Sequence, residues 1–393
     1  MKICAVIAEY NPFHNGHLKH LNFVKENCGC DKLLVIMSGN FTQRGENAVM
    51  DKFTRATHAI KAGADMVIEL PTVFATANAE LFATGAVKVL TDLKCIDKLC
   101  FGVESGTIPD YLSTAKALLT ETKALKQLIK EELDTGVSPA KARFNAVQRA
   151  GIVDINAELL SSPNNILGIE YAKAVLKYDS NIELVAMKRD GDHNSTKLEK
   201  TYTSASSIRE SLKTKKSSKL KGVMPPYVYK DLPEKPLDFS TIAMSALYKS
   251  SAEDLEKICD CTEGLENRIK ALIKDNINLD DALEKIATKR YTHARVRRII
   301  TANLLGIEEK TVLKALQSEL YCKILAVKES SKDMITHLCK TSSIPVLTRK
   351  KDYAEVKKFA QEALKTDELA NDLMNLVSGV KQNEYQMLIV PEK

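Results

Sequence analysis

The stretch MKICAVIAEYNPFHNGHLKH, residues 1–20, decides the fold of this chain and its main functional prediction. Residues Ile3–Ala8 form a short apolar run, which is typical of a buried strand. The turn that follows contains HNGH at residues 14–17, and helical spacing begins at His17. A glycine at such a junction lets the backbone approach a phosphate, and the free N–H groups of a helix start bind anions. The stretch therefore predicts a phosphate-binding turn after the first strand of an α/β sheet.

The next eighty residues repeat the same alternation of strand and helix. Apolar runs at Lys32–Met37, Ala64–Leu70 and Asp97–Val103 predict three more strands, and the segments between them have helical spacing. This rhythm indicates a doubly wound parallel sheet. Ligands bind beyond the carboxyl ends of such strands. We therefore expect one cleft formed by the loops Glu9–Gly16, Ser38–Arg44, Leu70–Phe74 and Gly102–Ser105.

The rest of the chain divides by composition. Ile182–Arg189 predicts a fifth strand, so the α/β domain is predicted over residues 1–212. A basic, proline-containing connection spans residues 213–236, and a mainly helical region follows over residues 237–317. Residues 318–393 mix apolar runs with helical segments and predict a small C-terminal α/β unit.

Length and composition exclude several classes of protein. The chain has 393 residues, of which 44% are hydrophobic and 27% charged, as in a globular protein of two or three domains. Its apolar runs are too short for a membrane span or a secretory signal, so we expect a cytoplasmic protein that does not contact membranes. The nine cysteines include two C-x-C pairs, which is not the spacing of a zinc site. We therefore predict no metal site.

Two segments concentrate basic charge, although 57 Lys and Arg residues barely exceed 51 Asp and Glu residues. Lys213–Lys221 holds five lysines and no acid, and Lys289–Arg298 holds five basic residues with a Tyr and a His. Both segments could contact RNA phosphates. The alternatives are a solvated loop and a helix face that pairs internally with Asp280, Asp281 and Glu284.

Two separate signatures carry the chemistry. His14 and His17 are three residues apart, and imidazole N–H groups can stabilise charge on an α-phosphate and a leaving pyrophosphate. The alternative is a pair of surface histidines beside a turn glycine. At the start of a later helix, SASSIR at residues 204–209 offers hydroxyl groups and Arg209 to further phosphates. The alternative there is that Ser206 only caps the helix.

Together these signatures resemble the HIGH-motif nucleotidyltransferase superfamily, whose members react at the α-phosphate of a nucleotide and release pyrophosphate. Within it, the chain closely resembles the tRNA(Met) cytidine acetate ligase family over most of its length. The segments that carry this resemblance are EYNPFHNGH at 9–17, MSGNFTQRGE at 37–46, IELP at 68–71, FGVE at 101–104, PNNILG at 163–168 and YTHARVRRII at 291–300.

The resemblance implies an enzyme that uses ATP and acetate to form N4-acetylcytidine at the wobble position of elongator methionine tRNA. The reaction would pass through acetyl-adenylate, with Mg²⁺ accompanying ATP and with no role for DNA. It implies catalytic roles for His14, His17 and Arg209. It also implies that ATP is bound by Ile7, Ala8, Glu9, Tyr10, Asn11, Pro12, Phe13, His14, Asn15, Gly16, His17, Leu18, Lys19, His20, Gly102, Asn164, Arg189 and Asp190. Asp190 departs from the apolar residue common in the family, so we expect its contact through the backbone.

Some alternatives stay open at this stage. Asn164 could cap a helix instead of binding ATP. Arg44 could bind a phosphate or the acetate carboxylate, or could be held by Glu46 or Glu69. A nucleotidyltransferase that makes a dinucleotide cofactor or a CDP-alcohol shares the first signature but is usually much shorter. A non-catalytic RNA-binding protein on the same scaffold would be expected to have a degraded phosphate turn.

Overall fold

The computed structural model describes residues 1–119, 123–137, 139–151, 159–160, 162–189, 204–214, 217–276 and 278–392. Within them the strands, in chain order, are β1 (Ile3–Ala8), β2 (Lys32–Ser38), β3 (Met66–Leu70), β4 (Lys98–Val103), β5 (Glu183–Lys188), β6 (Cys322–Lys328), β7 (Val346–Leu347) and β8 (Leu388–Val390).

The helices are interspersed among these strands and dominate the middle of the chain. They are α1 (Asn15–Asn27), α2 (Lys52–Lys61), α3 (Thr72–Ala75), α4 (Ala79–Asp92), α5 (Ile108–Leu119), α6 (Lys123–Asp134), α7 (Pro139–Arg149), α8 (Pro163–Lys177), α9 (Ala205–Thr214), α10 (Pro226–Asp231), α11 (Ser240–Lys249), α12 (Ala252–Glu256), α13 (Leu265–Lys274), α14 (Leu279–Ile286), α15 (His293–Leu305), α16 (Glu309–Gln317), α17 (Asp333–Thr341) and α18 (Lys358–Ser378).

One sheet runs through the molecule in the order β5-β4-β1-β2-β3-β6-β7, with β8 paired to β6. The first five strands are parallel, and Val6 of β1 lies opposite Val35 on one side and Cys100 on the other. From β1 the chain proceeds to β2 and β3 in one direction, and β4 and β5 lie in the other. The gap between β1 and β4 is therefore the point where the strand order reverses, and the turn after β1 leaves the sheet there. The predicted doubly wound parallel sheet is confirmed.

The sheet has a packed core on each face, because successive strand residues point to opposite sides. Ile3 and Ala5 of β1 pack on one side with residues of α4, α5 and α8. Cys4 and Val6 pack on the other side with residues of α1 and α2. This burial on both faces explains why the first strands read as continuous apolar runs.

The C-terminal segment has the predicted α/β content, but its strands extend the N-terminal sheet. β6 pairs antiparallel with β3, so that Met66 lies opposite Val327. The C-terminal segment predicted to begin at residue 318 therefore does not form a sheet of its own, because its strands belong to the same sheet as β1–β5. The mainly helical region predicted over 237–317 corresponds to α11–α16. No helix in the described part of the chain is both long and apolar enough to cross a membrane.

A buried group of four charges joins the two ends of the chain where β3 meets β6. Lys52 Nζ lies 2.8 Å from Glu69 Oε2 and 2.7 Å from Glu384 Oε2, and Lys323 contacts the same two carboxylates. All four side chains are at most 6% exposed. Burial alone would lower the pKa of Lys323, but Glu69 and Glu384 outweigh it and raise that pKa well above its ordinary value. Lys323 therefore stays charged.

Replacing Lys323 with Met should lower the free energy of unfolding by about 3–5 kcal/mol, because two buried carboxylates lose a cation. Lys328→Met is the matched control. Lys328 lies on β6 like Lys323, and its ion pair with Glu392 is partly exposed. The control should cost at most about 1 kcal/mol. Urea unfolding measures the free energy of unfolding of both variants. Equal losses would contradict a stabilising role for the buried charges.

Candidate active site

A cleft of about 1120 Å³ opens at the carboxyl ends of the parallel strands and reaches the helical region. It is lined by eleven of the residues that the sequence predicted for nucleotide binding. They are Ile7, Ala8, Glu9, Tyr10, Asn11, Gly16, His17, His20, Gly102, Asn164 and Arg189. The structure therefore brings residues from four separate segments to one site.

The other predicted residues, Arg209 among them, do not line the cleft or lie outside the described ranges. Those of the turn and of α1 that do not line the cleft are Pro12, Phe13, His14, Asn15, Leu18 and Lys19. Phe13 and His14 are 0% and 3% exposed, so they support the turn from beneath. Asp190 lies outside the described residues, and its predicted backbone contact stays a prediction.

The two histidines of the turn have different positions. His14 precedes α1 as its N-cap, and its Nδ1 accepts a hydrogen bond from Gly16 N at 3.1 Å. His17 Nδ1 accepts from His14 N at 3.3 Å, and the two rings stack with centroids 3.7 Å apart. With Nδ1 accepting, the proton of a neutral His17 ring lies on Nε2. His17 is thus a donor at the cleft, and His14 fixes the start of the helix.

The backbone before the histidines is tightly shaped. Tyr10 has φ 49°, which is uncommon for a residue with a side chain, and the Asn11–Pro12 peptide is cis. The Tyr10 ring is buried, and its centroid lies 4.9 Å from that of His17. Asn11 Oδ1 accepts a hydrogen bond from Val49 N at 2.8 Å. Local packing therefore holds the turn in one conformation.

A buried arginine that the sequence did not predict as functional holds two of the cleft loops together. The Arg55 side chain is 0% exposed, and its Nη1 donates to Glu9 O at 2.6 Å and to Ser38 O at 3.1 Å. Nη2 contacts Gly39 O, and Nε donates to Met50 O at 2.9 Å. Burial lowers the pKa of Arg55 to about 10, so the group stays charged at neutral pH. Nothing in the sequence around Arg55 distinguishes it from a solvent-facing helix residue.

Residues from β4, β5 and α8 meet at one end of the cleft. Arg189 Nη1 donates to Asn164 Oδ1 at 3.0 Å, and Asn164 Nδ2 donates to Glu104 Oε1 at 2.8 Å. The cap of α8 is Ser162, so Asn164 is not the capping residue. His20 Nε2 is a buried atom without a hydrogen-bond partner, and burial together with Arg189 lowers the pKa of His20 to about 4. His20 is therefore neutral and can hydrogen-bond a bound molecule.

The second predicted signature, SASSIR at residues 204–209, lies against the turn that follows β1. Arg209 Nη1 donates to Asn11 O at 2.8 Å, and its Nη2 donates to Ser206 Oγ at 3.3 Å. The cap interaction of α9 is made by Ser204, whose Oγ accepts from Ser207 N at 3.1 Å. Ser206 instead accepts from Arg44 Nη1 at 3.2 Å. Ala205 at the start of α9 and Arg44 thus line the cleft, and Arg209 lies next to them, bonded to the turn after β1.

Glu46 links this signature to the helical region, and the sequence did not assign it that role. Its carboxylate lies 3.3 Å from Arg209 Nε and 2.8 Å from Arg297 Nη1 of α15. Arg44 forms no ion pair with a described residue. Its two expected partners are engaged elsewhere, since Glu46 pairs with Arg209 and Arg297 and Glu69 pairs with Lys52. The guanidinium of Arg44 is therefore available to an anion in the cleft.

The basic helix α15 and Arg290 just before it form the opposite wall of the cleft, and their charges pair within the chain. Arg295 and Arg290 lie 3.6 and 3.1 Å from Glu263, and Arg298 lies 3.6 Å from Asp260. The partners expected from the sequence were Asp280, Asp281 and Glu284, of which Glu284 pairs with His293 at 3.2 Å. Most partners thus come from the segment that precedes α13.

The chemistry of the cleft suits a nucleotide triphosphate. The starts of α1 and α9 present the positive ends of their helix dipoles, Arg44 and Arg189 supply positive charge at the cleft, and Arg209 adds charge next to it. Among the described residues, no group of three or more His, Cys, Asp or Glu side chains is arranged to hold a metal ion. Charge stabilisation at this site would come from side chains, helix ends and any ion that enters with the nucleotide.

Comparison with known proteins finds relatives over nearly the whole chain. Residues 1–387 match the family model described as HIGH Nucleotidyl Transferase. The tRNA(Met) cytidine acetate ligase of Acetivibrio thermocellus is 37% identical over 93% of this chain and 94% of its own. That of Thermoanaerobacter sp. is 39% identical, with the same coverage of both chains.

Solved structures show the same fold. The apo crystal structure of Thermotoga maritima TmcAL has a TM-score of 0.90 and 30% identity and covers 100% of both chains. The structure of that protein bound with alpha-thio ATP has a TM-score of 0.87 and 30% identity, and it covers 99% of this chain and 100% of its own.

Gly102→Ala should weaken ATP binding about tenfold. A Cβ at Gly102 would lie 2.9 Å from Arg189 Cδ, so the Arg189 side chain would have to shift, which strains its hydrogen bond with Asn164. Losing a charged hydrogen bond costs about 1.5–3 kcal/mol, of which part is recovered by water. Calorimetric titration with ATP measures the affinity, and the thermal midpoint of the unliganded variant checks the fold. An unchanged affinity in a folded variant would contradict this arrangement.

Proposed function

This chain belongs to the tRNA(Met) cytidine acetate ligases of the HIGH nucleotidyltransferase family, and we propose that it joins acetate to a cytidine of methionine tRNA at the expense of ATP. The target is the wobble cytidine of the elongator tRNA, and the product is N4-acetylcytidine. The reaction takes place in the cytoplasm, where this tRNA and ATP are found together.

One contact supports this proposal most strongly: the hydrogen bond of Arg209 Nη1 to Asn11 O. It joins two signatures that are 198 residues apart in the chain. The turn with Gly16 and His17 then faces the α-phosphate, and α9 with Arg209 faces the phosphates beyond it. A cleft of this kind suits attack at the α-phosphate with pyrophosphate as the leaving group.

The first step needs little acid–base chemistry, because acetate is already ionised. Its oxygen attacks the α-phosphate, which gives acetyl-adenylate and pyrophosphate. The Nε2 donor of His17 and the guanidinium of Arg209 stabilise the charge that develops. His14 acts indirectly, by capping the start of α1 and so holding the turn in place. Mg²⁺ would enter with ATP and offset charge on the leaving pyrophosphate.

In the second step the cytidine amine attacks the acetyl carbonyl and AMP leaves. The cleft is continuous with the wall formed by α15, so the anticodon loop can enter from the helical side. Readable bases in RNA are those of single-stranded loops, which can be splayed into a pocket. We propose that the basic connection and the helical region bind the flanking tRNA phosphates.

Exchange of labelled pyrophosphate into ATP tests this function against its alternatives. Exchange that requires acetate supports the ligase. Exchange that requires a mononucleotide or a phosphorylated alcohol would favour a nucleotidyltransferase that makes a dinucleotide cofactor or a CDP-alcohol. Absence of ATP binding would favour a non-catalytic RNA-binding scaffold.

Replacing His17 with Ala should leave the fold intact and reduce acetate-dependent exchange by the equivalent of about 2–4 kcal/mol, since a donor to the reacting phosphate is lost. His337→Ala, on α17 and away from the cleft, is the matched histidine control and should exchange at the wild-type rate. Wild-type exchange in His17→Ala would refute the role of this residue.

The lysine-rich connection gives a further prediction. Asn15 N donates to Val223 O at 2.9 Å and Asn15 Nδ2 to Gly222 O at 3.0 Å, which places the exposed Lys219 and Lys221 beside the phosphate turn. Lys215 and Lys216, which the sequence also suggested, lie outside the described residues. Reversing both Lys219 and Lys221 to Glu should weaken tRNA binding and flatten its dependence on salt, because fewer counterions are released.

A control with the same change in net charge is Lys340→Glu with Lys358→Glu, two exposed positions on α17 and α18. Filter binding over a salt series measures the affinity and the slope, and exchange without tRNA checks the ATP site. If reversal of Lys219 and Lys221 abolished exchange but kept tRNA affinity and slope, this segment would belong to the ATP site.

A further inference from the structure

We propose that Glu9 is the general base of the acetyl-transfer step and accepts the proton that the cytidine amine loses as it attacks the acetyl carbonyl. This inference rests on the proposed function, because it assigns a group to the second of the two steps.

The position of Glu9 leaves one carboxylate oxygen available to a substrate. Glu9 directly follows β1, is half-buried and lines the cleft. Its Oε1 accepts a hydrogen bond from Gln43 N at 2.7 Å, which fixes the side chain. No described residue donates a hydrogen bond to Oε2, and no described cation forms an ion pair with it. The side chain is thus held in place while one oxygen stays open to the cleft.

The surroundings of Glu9 raise the affinity of its carboxylate for a proton. Arg44 and Glu46 face it from the loop before α2, Arg209 from α9, Arg55 from α2 and Tyr171 from α8. Burial is the largest influence and raises the pKa of the Glu9 carboxyl, although Gln43 N–H, Arg209 and Arg44 oppose it. A base with a raised pKa accepts a proton more readily than an ordinary exposed carboxylate.

A carboxylate at this position is unfavourable for binding the substrates of the first step. ATP and acetate are both anions, and a carboxylate on the phosphate turn opposes their binding. The first step gains nothing from it, because acetate needs no activation. The second step does need a base, since the lone pair of the cytidine amine is delocalised into the ring and the nitrogen gains positive charge as it attacks.

Other groups in the cleft are less suited to this task, and His20 is a weak base because burial and Arg189 lower its pKa to about 4. His17 Nδ1 already accepts from His14 N, so its ring presents a donor. Glu170 pairs with Lys173 at 2.8 Å. Asp260 and Glu263 pair with the arginines of the opposite wall, as described above.

The step balances as follows. The amine lone pair forms a C–N bond to the acetyl carbon, and the amine proton passes to Glu9 Oε2. The bond between the acetyl carbon and the phosphate oxygen then breaks, and its electron pair leaves with AMP. Glu9 later returns the proton to solvent.

The test supplies synthetic acetyl-adenylate and tRNA and measures N4-acetylcytidine formation in a single turnover. Glu9→Gln keeps an acceptor for Gln43 N and should slow transfer about 100-fold or more, with a much smaller fall in acetate-dependent exchange. The wild-type transfer rate should rise with pH through the carboxyl pKa, because only the ionised form is a base, and this acid limb should be absent in Glu9→Gln.

Two more variants sharpen the result. Glu9→Asp keeps a carboxylate and should retain the acid limb at a reduced rate. Glu80→Gln removes a carboxylate that is 57% exposed at the same cleft and should change neither reaction.

An acid limb that persists in Glu9→Gln, or an equal fall in transfer and exchange, would overturn the assignment to Glu9 and leave the proposed function standing. A wild-type protein that shows neither exchange nor transfer would overturn the proposed function and this assignment with it.

Discussion

The buried guanidinium of Arg55 is the interaction on which the site depends. It binds the carbonyl oxygens of Glu9, Ser38 and Gly39, so it fixes where the chain leaves β1 relative to where it leaves β2. Buried carbonyl groups need hydrogen-bond donors, and a guanidinium supplies several in one plane. The phosphate turn and the loop over residues 39–47 can therefore diverge from adjacent strands and still form one rigid wall.

From that wall the site is completed by groups that are far away in the sequence. Arg209 of α9 bonds to the carbonyl of Asn11, and Glu46 connects Arg209 with Arg297 of the helical region. The buried charges of Lys52, Glu69, Lys323 and Glu384 fasten the C-terminal strands beside β3. Adenylation chemistry and RNA contact would thus share a single framework.

Local patterns in the sequence predicted the parallel strands and the turn after β1, because burial on both faces and the change from strand to helix are recorded in consecutive residues. The pairing of β6 with β3 could not be predicted from local patterns, since the paired residues Met66 and Val327 are far apart in the chain. The three-residue spacing of His14 and His17 suggested equal roles. His14, however, precedes the helix, so its ring turns back to Gly16 N and is buried. Glu46 and Arg55 carry no signal that separates them from surface charges.

The central claim is that the cleft transfers an acetyl group to a cytidine of methionine tRNA. The most direct test incubates the protein with ATP, acetate and bulk tRNA, and then digests the tRNA and measures its nucleosides by mass spectrometry. We predict an acetylated cytidine that appears only when both ATP and acetate are present and that comes from methionine tRNA. Unmodified cytidine in every sample, under conditions where the protein binds ATP and tRNA, would contradict the claim.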